Sequence, residues 1–407
     1  MSARHSYHLG YLTAMVIDSM GSGLWIPFAL LFFTFGRGMK LAEAGVALTT
    51  GSMLSLLGGG LITGTIVDRI GPFRSAALSS LIRVIAFPMY LVGSTFAWVA
   101  AIAVAISFAD RLFWAAHGGM VSAVSPSDEA RVRLFSSLNA LRNIGLGIGA
   151  LVASLGVWVE HGSGVFWSFI VVANAASFAV SGLLLWQLRR FDDATEHGEE
   201  SGVRRYRDVF AQYRFLVFVA AVFVLALASV GFDSILPVYL LAVGLPTWSP
   251  PMAYLLSSIL IAASAPLATE LGSRRSGLRL LASAAGLVGI AYGALSAMAA
   301  VHAGKVALLA AAVTLFSLAE ALFGATAVNV MLSFAPEGRA GRHSAVYQLS
   351  WGVADAVGPG LFSLLFTVER ALPWIFLMVV LGFAALAFLG SSRTAAHKFR
   401  ASGESAA

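Results

Sequence analysis

Charged side chains lie deep inside the apolar stretches of this 407-residue chain. Five are acids and three are arginines: Asp18, Asp110, Asp233, Glu320, Asp355, Arg83, Arg111 and Arg142. An ionised group at the centre of a membrane helix costs about 2.5–3.5 kcal/mol or more, so such groups are kept for ion or substrate pathways. Because five acids accompany three arginines, at least one acid is expected to carry a proton at rest. The five acids are our candidates for proton coupling.

The acids recur at half the length of the chain. Residues 107–115 and 317–325 are identical at five of nine positions, and Asp110 aligns with Glu320. Three further pairs keep the same offset of 210 residues: Gly21 and Gly231, Pro27 and Pro237, Pro126 and Pro336. This repeat predicts two copies of one structural unit, an arrangement that is common in secondary transporters.

The two copies differ at charged positions. Arg111 aligns with the uncharged Ala321. The acid of the first apolar run, Asp18, moves in the second copy to Asp233, which aligns with Gly23. Such unmatched positions are the strongest candidates for handling protons and substrate.

The elements that must position these groups are expected to be membrane-spanning helices. The chain is 58% hydrophobic and 11% charged, whereas a soluble domain carries about 25% charged residues. A helix of about 20 residues crosses about 30 Å of hydrocarbon and satisfies its own backbone hydrogen bonds. Twelve apolar runs are long enough to cross: 9–34, 43–67, 74–95, 97–122, 136–158, 164–188, 214–241, 252–271, 277–300, 305–334, 343–367 and 371–391.

The basic residues indicate the topology. With twelve spans, 19 of the 26 lysines and arginines fall on the side of the two termini, four on the other side and three within the membrane. Cytoplasmic loops carry such an excess, so both termini are expected in the cytoplasm, in a bacterial plasma membrane. The positive net charge of +6 is thereby explained without a nucleic-acid partner.

Enzymatic chemistry is not expected. The chain has no cysteine, and it lacks a phosphate-binding loop with its lysine, an H-E-x-x-H zinc motif and a G-x-S-x-G elbow. No cofactor or metal is therefore predicted. Without an ATP site, the energy for transport would come from an ion gradient or from the gradient of the substrate.

A pattern of glycines, an acid and arginines joins the second and third runs: Gly64, Asp68, Arg69, Gly71 and Arg74. Gly64 is expected to let its helix pack closely on a neighbour, and Gly71 to form the turn. All five positions resemble the loop motif of the major facilitator superfamily, G-x-x-x-D-R-x-G-x-x-R. The resemblance implies a conformational latch between two halves. The plainer alternative is a tight turn anchored by arginines.

The first run is similar to the first helix of twelve-helix drug/proton antiporters, D-x-x-G-x-G-x-x-x-P. Asp18, Gly21, Gly23 and Pro27 match this pattern. The glycines permit close helix contact and the proline permits a kink. The resemblance implies proton coupling at Asp18, and the alternative is a structural aspartate bonded to helix carbonyls or water. Trp25 of the same run is a cavity candidate.

Arginines in the fourth and fifth runs are candidates for the cavity. Arg111 resembles the family's R-x-x-x-G, with Ala115 in place of the glycine. Arg83 is instead expected to be structural, in an ion pair with Asp110. For Arg111, the alternative to a cavity role is that the charges of this region serve only such structural ion pairs. In the fifth run, Arg142 could bind an acidic substrate or a structural partner.

Polar side chains extend these candidates on two helices. Asn139, Arg142 and Asn143 share one helical face in the fifth run. That run departs from the antiporter motif G-x-x-x-G-P-x-x-G-G, because Ala150 replaces the proline. In the eleventh run a stripe leads to Asp355 and suits a flat substrate with polar groups: Tyr347, Gln348 and Trp351.

These observations predict an all-α integral membrane protein of twelve helices in two six-helix bundles related by a pseudo-two-fold axis. The bundles would comprise residues 1–188 and 214–391, joined by a cytoplasmic linker over 189–213 and followed by a tail over 392–407. The expected function is proton-coupled efflux of a small organic molecule, a drug or natural product, by alternating access. A monomer is expected, with the substrate, protons and the lipid bilayer as its partners.

Two other functions stay open at this point. One is a proton symporter that imports a metabolite, in which Arg142 or Arg111 would hold an anionic substrate. The other is a membrane sensor on the same fold that transports nothing. The dense charges within the membrane argue against a sensor, because it has no need of them.

Overall fold

The computed structural model describes residues 2–125, 134, 137–138, 141–142, 144–153, 164–192, 207–335 and 341–404. Asn139 and Asn143 of the predicted cavity lie outside the described residues, as do Pro126 and Pro336 of the repeat.

Helices occupy all twelve predicted runs in the described part of the chain. We number them α1 to α12: Ser2–Trp25, Leu41–Ile70, Pro72–Met89, Phe96–Val124, Ile144–Ala153, Val165–Gln187, Tyr213–Ala242, Ser249–Arg274, Gly277–Ala297, Lys305–Phe334, Gly341–Val368 and Leu372–Glu404. Ten of these regions are long and apolar enough to cross a membrane. The other two are α3, with 18 residues, and the described part of α5. The predicted all-helical architecture is confirmed. We call α1–α6 the first half and α7–α12 the second half.

The regular α-helix of the first span is interrupted at Pro27, where the sequence was expected to permit a kink. After Trp25 the chain forms a 3-10 turn over Ile26–Phe28, a short α-helical piece over Ala29–Leu31 and a π turn over Phe32–Gly36. Proline has no backbone N–H, so the regular helical ladder is interrupted there.

Small residues bring α1 against its neighbours, as the sequence predicted. A Cβ atom on Gly21 would overlap Ser177 of α6, and one on Gly23 would overlap the backbone of Leu146 in α5. In return, a Cβ on Gly145 of α5 would lie 2.7 Å from the Cβ of Ser19. Close packing of this kind fixes the position of α5, and of the residues just before it, relative to α1.

The repeat is visible in equivalent contacts. The hydroxyl of Ser107 on α4 lies 2.8 Å from that of Ser52 on α2. In the second half, Ser317 on α10 donates to Ser257 on α8 at 3.0 Å. Each copy of the repeated segment therefore joins the second and fourth helices of its own half.

The two halves pack tightly at the end of the molecule that lies away from the Gly64–Arg74 loop motif. Thr49 of α2 accepts a hydrogen bond from the backbone N–H of Gly360 on α11 at 2.8 Å and donates one to the carbonyl of Val357 at 3.3 Å. A Cβ on Gly45 would overlap Ser363, also on α11. The absence of a side chain at Gly45 and Gly360 lets the helices approach at this level.

One face of α2 is open toward the loop-motif end of the helix. A Cβ atom on Gly58 or Gly64 would meet nothing within 4 Å. The expectation that Gly64 packs closely on a neighbour is therefore wrong in this conformation, because the face of α2 that carries Gly58 and Gly64 meets no other element there. Since the halves are in contact at the other end, we infer that they are apart at the loop-motif end, and we call the space between them the opening.

The loop motif is built around an acid from beyond α6. Gly71 has φ +89°, which favours glycine, and a Cβ there would collide with Asp192. The carboxylate of Asp192 accepts the backbone N–H groups of Phe73 at 2.8 Å and Arg74 at 3.0 Å, at the start of α3. The predicted turn at Gly71 is confirmed. Asp192 is only 5% exposed, so the first residues of the predicted linker are packed against this loop.

We predict that Gly71→Ala destabilises the protein and that Gly64→Ala does not. Left-handed backbone costs a residue with a Cβ about 1–2 kcal/mol, and loss of the Asp192 cap adds about 0.5–2 kcal/mol. At Gly64 the helical backbone and the open surroundings accept alanine. The melting temperatures of the purified variants in detergent measure the difference. A Gly71→Ala variant that melts with the wild type would contradict this account of the turn.

Candidate functional site

A buried guanidinium joins three helices of the first half. Nη1 of Arg83 on α3 lies 3.4 Å from Oδ1 of Asp18 on α1 and 3.4 Å from Oδ1 of Asp110 on α4. Arg83 is 3% exposed and Asp18 is 7% exposed. The ion pair expected between Arg83 and Asp110 is present, and Asp18 shares it. Asp18 therefore lies within the first half beside a cation that is distant in sequence.

The position of Arg83 is fixed by its other contacts. Its Nη2 donates to the hydroxyl of Ser79 at 3.0 Å, and Ser79 donates to the carbonyl of Ala109 at 2.7 Å. The guanidinium lies over the ring of Phe178 at 4.2 Å from its centroid and near the ring of Phe113 at 5.0 Å. Aromatic faces attract cations, so Arg83 is held from four helices.

The two acids of this cluster differ in their access to solvent. The side chain of Asp110 is 48% exposed and that of Asp18 is 11% exposed. Asp110 therefore faces the open space, whereas Asp18 lies behind it. One guanidinium compensates one carboxylate, so the cluster can hold a proton on the other acid.

Arg111 of α4 lies at the boundary between the halves. Its Nη2 donates to the carbonyl of Ser52 on α2 at 3.4 Å. A Cβ on Gly352 of α11 would lie 3.3 Å from its Nη1, so Arg111 reaches the second half. It interacts electrostatically with Asp355, one helical turn further along α11, and with Asp110.

Arg142 lies just before α5 and is exposed to the opening. Its guanidinium lies over the ring of Trp114 of α4 at 5.2 Å from the centroid. It is close enough to interact electrostatically with Asp233, Glu320 and Asp355 of the second half. The structure thus brings four of the predicted site residues together from both halves.

The acids of the second half are held differently from those of the first. Glu320 on α10 accepts a hydrogen bond from the hydroxyl of Ser229 on α7 at 3.0 Å. Within the described part of the chain, the carboxylates of Asp233 and Asp355 have no hydrogen bond or ion pair. Tyr254 of α8 donates to the backbone carbonyl of Asp233 at 2.9 Å and fixes α7 at this level.

The predicted aromatic stripe of α11 is divided between two environments. Gln348 is exposed, and Trp351 is partly buried and stacks on Phe323 with ring centroids 5.7 Å apart. Tyr347 is 6% exposed and stacks on Phe218 at 6.4 Å. It belongs to the packed wall behind Glu320, with which it interacts electrostatically.

Trp25 lies apart from the charged groups. Its ring stacks on Tyr90 with centroids 5.5 Å apart, and it also contacts Phe32, Phe33 and Phe87. This aromatic cluster closes the first half at the end away from the loop motif. The structure therefore does not bring Trp25 together with the other cavity candidates.

Several residues of the site were missed in the sequence. Ser79 and Ser229 hold a charged partner, and Trp114 underlies Arg142. His117 of α4 is within 3.3 Å of the hydroxyl of Tyr11 and interacts electrostatically with Arg142. The signal for His117 and Trp114 was their spacing, which places them within two turns of Arg111 on one helix. Serines carry no comparable signal, because they are frequent in membrane helices.

Among the residues that the structure describes, no group of three or more His, Cys, Asp or Glu side chains could hold a metal ion. The charged groups described above are carboxylates and guanidinium groups, which can bind protons and oppositely charged organic groups respectively.

The fold is shared with solved transporters. The structure of the nucleoside transporter NupG superposes with a TM-score of 0.71 at 14% identity, covering 95% of this chain and 98% of that chain. A bacterial homologue of the iron transporter ferroportin in an inward-facing state gives 0.74 at 15% identity, covering 95% and 98%. A bacterial homologue of the human drug peptide transporters PepT1 and PepT2 gives 0.72 at 14% identity, covering 98% and 99%.

No curated protein sequence gives a significant match to the chain. The family described as Major Facilitator Superfamily matches residues 11–359, which include both halves of the repeat and the charged groups described above. The chain therefore belongs to the Major Facilitator Superfamily and is a multi-pass membrane transporter of a small molecule.

Proposed function

We propose that this transporter is a proton-coupled exporter of a small organic molecule, a drug or natural product, that works by alternating access. The observation that carries the coupling is the Arg83 cluster, in which two carboxylates share one guanidinium nitrogen. With both acids ionised, the buried cluster holds a surplus negative charge, which is costly within a membrane. A proton on one acid removes the surplus.

The two acids have distinct roles in this proposal. Asp110, the more exposed of the pair, exchanges protons with water in the opening. Asp18, the less exposed, competes with it for Arg83. Protonation of Asp110 leaves Arg83 paired with Asp18 alone, and deprotonation restores the shared arrangement. Because Asp18 and Asp110 belong to α1 and α4, proton binding changes the force that holds these helices together.

The substrate would occupy the opening between the halves. Arg111 and Arg142 reach this space from the first half, and Asp233, Glu320 and Asp355 from the second. Alternating access requires that the halves close at the loop-motif end and separate at the other. The contacts of Thr49 with Gly360 and Val357 are those that must break.

The orientation in the membrane follows from the distribution of basic residues. We place the loop-motif end and both termini in the cytoplasm, in a bacterial plasma membrane, because the loops on that side carry most of the lysines and arginines. In that orientation the structure is open to the cytoplasm, like the inward-facing state reported for the ferroportin homologue. A monomer contains all the groups named here.

A second candidate function is proton-coupled import of an anionic metabolite. It is favoured by the exposed guanidinium of Arg142, which is available to a carboxylate or phosphate group. The resemblance of the first helix to drug/proton antiporters favours export. The direction of proton movement separates the two.

We expect Asp18→Asn to abolish proton-driven transport while leaving expression intact. The amide of asparagine carries no charge, so Arg83 stays paired with Asp110 and the cluster has no surplus negative charge. Asp110 then stays ionised and no longer takes up a proton. A substrate from an accumulation screen in a pump-deficient host is assayed in proteoliposomes with a pH gradient. Exchange of labelled for unlabelled substrate without a gradient should persist. The exposed Glu43→Gln is the matched control, and unchanged gradient-driven transport by Asp18→Asn would remove Asp18 from the coupling mechanism.

Everted membrane vesicles decide between export and import. If the protein is an antiporter, vesicles with an acidic interior should accumulate substrate and release protons, as read from an internal pH dye and labelled substrate. A symporter gives the opposite result, because substrate then leaves the vesicle together with protons. Vesicles that contain the Asp18→Asn protein measure the passive leak of substrate and protons.

The loop motif is proposed to act as a latch through Asp68, which interacts with its surroundings in this structure. We expect Asp68→Asn to slow substrate exchange severalfold while equilibrium binding stays within about twofold, since the site lies elsewhere. Exchange rates in proteoliposomes and binding to purified protein measure the two quantities. A complete loss of binding would count against a latch.

A further inference from the structure

The opening between the halves carries opposite charges on its two walls. The wall of the first half presents Arg111 and Arg142, and the wall of the second half presents Asp233, Glu320 and Asp355. This separation was not visible in the sequence, because acids also occur in the first half, at Asp18 and Asp110. Those acids are engaged by Arg83.

The charges of the two walls face each other without direct contact. No acid of the described part of the chain forms an ion pair within 4.0 Å of Arg111 or Arg142. Arg142 nevertheless lies within electrostatic reach of all three acids on the opposite wall, and Arg111 of Asp355. A gap therefore separates groups that attract one another.

Hydrogen-bonding capacity on both walls is unused. The carboxylates of Asp233 and Asp355 have no hydrogen bond within the described residues, and the carboxylate of Glu320 uses only Oε2, with Ser229. On the other wall, Nε of Arg111 is buried without a partner in the described part of the chain. These are acceptors on one side and donors on the other.

Flat apolar surfaces border the charged groups. Trp114 lies beneath the guanidinium of Arg142 and is 47% exposed. Trp351, one turn before Asp355 on α11, stacks on Phe323. Each wall thus combines an aromatic ring with its charges, an arrangement that binds a ligand with an apolar body and polar ends.

We infer that the substrate is a zwitterion whose anionic group binds Arg142 and Arg111 and whose cationic group binds the acids of the second half, with an aromatic or other flat body between them. This inference rests on the proposed function, because it takes the opening as the transport site. It deepens that proposal by naming the chemical class of the substrate.

The pairing of individual charges, rather than the net charge, favours a zwitterion over a simple cation or anion. Closing the halves over the substrate removes both walls from water, and a desolvated charge is tolerated only when it is paired. A monovalent cation leaves the two arginines without an anionic ligand group, and a monovalent anion leaves the three acids without a cationic one. A zwitterion supplies both, and the one acid in excess of the arginines is neutralised by one proton.

The test uses one skeleton in four charge states. The probes are 4-(2-aminoethyl)benzoic acid, its methyl ester, its N-acetyl derivative and the doubly blocked compound, which are respectively zwitterionic, cationic, anionic and neutral. Binding to the purified full-length protein is measured by thermal shift and calorimetry. We expect each singly blocked compound to bind roughly tenfold more weakly than the zwitterion, since each loses one charged hydrogen-bonding partner.

Variants assign each end of the probe to its wall. Arg142→Gln should weaken the zwitterion and the anionic derivative while leaving the cationic ester nearly unchanged. Asp355→Asn should weaken the zwitterion and the cationic ester while leaving the anionic derivative nearly unchanged. The exposed Arg275→Gln and Glu43→Gln are matched charge controls outside the opening. The inference is overturned if none of the four probes binds, if a singly charged or neutral probe binds as tightly as the zwitterion, or if neither variant changes the preference.

A screen separates failure of this inference from failure of the proposed function. Compounds whose accumulation the protein lowers in a pump-deficient host should be mainly zwitterions at neutral pH. If they are monovalent cations and their export still moves protons, the substrate class is wrong while proton-coupled export stands. If zwitterions bind in the Arg142-dependent manner but no proton moves, the substrate class stands and the coupling fails.

Discussion

The structure of the first half depends on one buried cation. Arg83 binds acids from α1 and α4, a serine on its own helix and the aromatic ring of Phe178 on α6. Removing a guanidinium from such a place leaves carboxylates uncompensated in a low-dielectric interior, whereas protonating one of them only relaxes a surplus. The same interaction thus stabilises the bundle and is the one to which we assign the proposed proton coupling. In that proposal one set of atoms serves both structure and coupling, which limits how freely the surroundings of Arg83 can vary.

Glycines form close helix contacts both within the first half and between the two halves. Gly21, Gly23 and Gly145 let α1 pack closely against α5 and α6 within the first half. Gly45 and Gly360 form a comparable contact between the halves. That second contact joins elements that separate in the proposed alternating-access cycle, and it consists of backbone approach and two hydrogen bonds to Thr49. An interface of this kind is specific in geometry without requiring a large apolar area to be exposed when it opens.

The opening has a positively charged wall in the first half and a negatively charged wall in the second half. Arginines on one wall and acids on the other attract each other across a gap, so the halves are drawn together when the walls are empty or when a ligand matches both. A ligand that matches one wall alone leaves the other unpaired on closure. The repeat had shown only that the two copies differ at Arg111, which aligns with an alanine, and at Asp233, which aligns with a glycine. Both of these residues face the opening, whereas Asp18, which also has no acidic counterpart at the equivalent position, lies behind Asp110.

The sequence by itself determined the twelve helices, the repeat, the bend at Pro27 and the turn at Gly71, because these depend on local hydrophobicity and on backbone conformation. It could not decide which charges meet. A helix in lipid is apolar on most of its circumference, so its rotation is not encoded by a polar face. Only the tertiary structure placed Arg83 between Asp18 and Asp110, Ser229 against Glu320, Asp192 on the start of α3 and the side of α2 at Gly64 in open space. Each depends on helix rotation and on contacts between residues that are far apart in the chain.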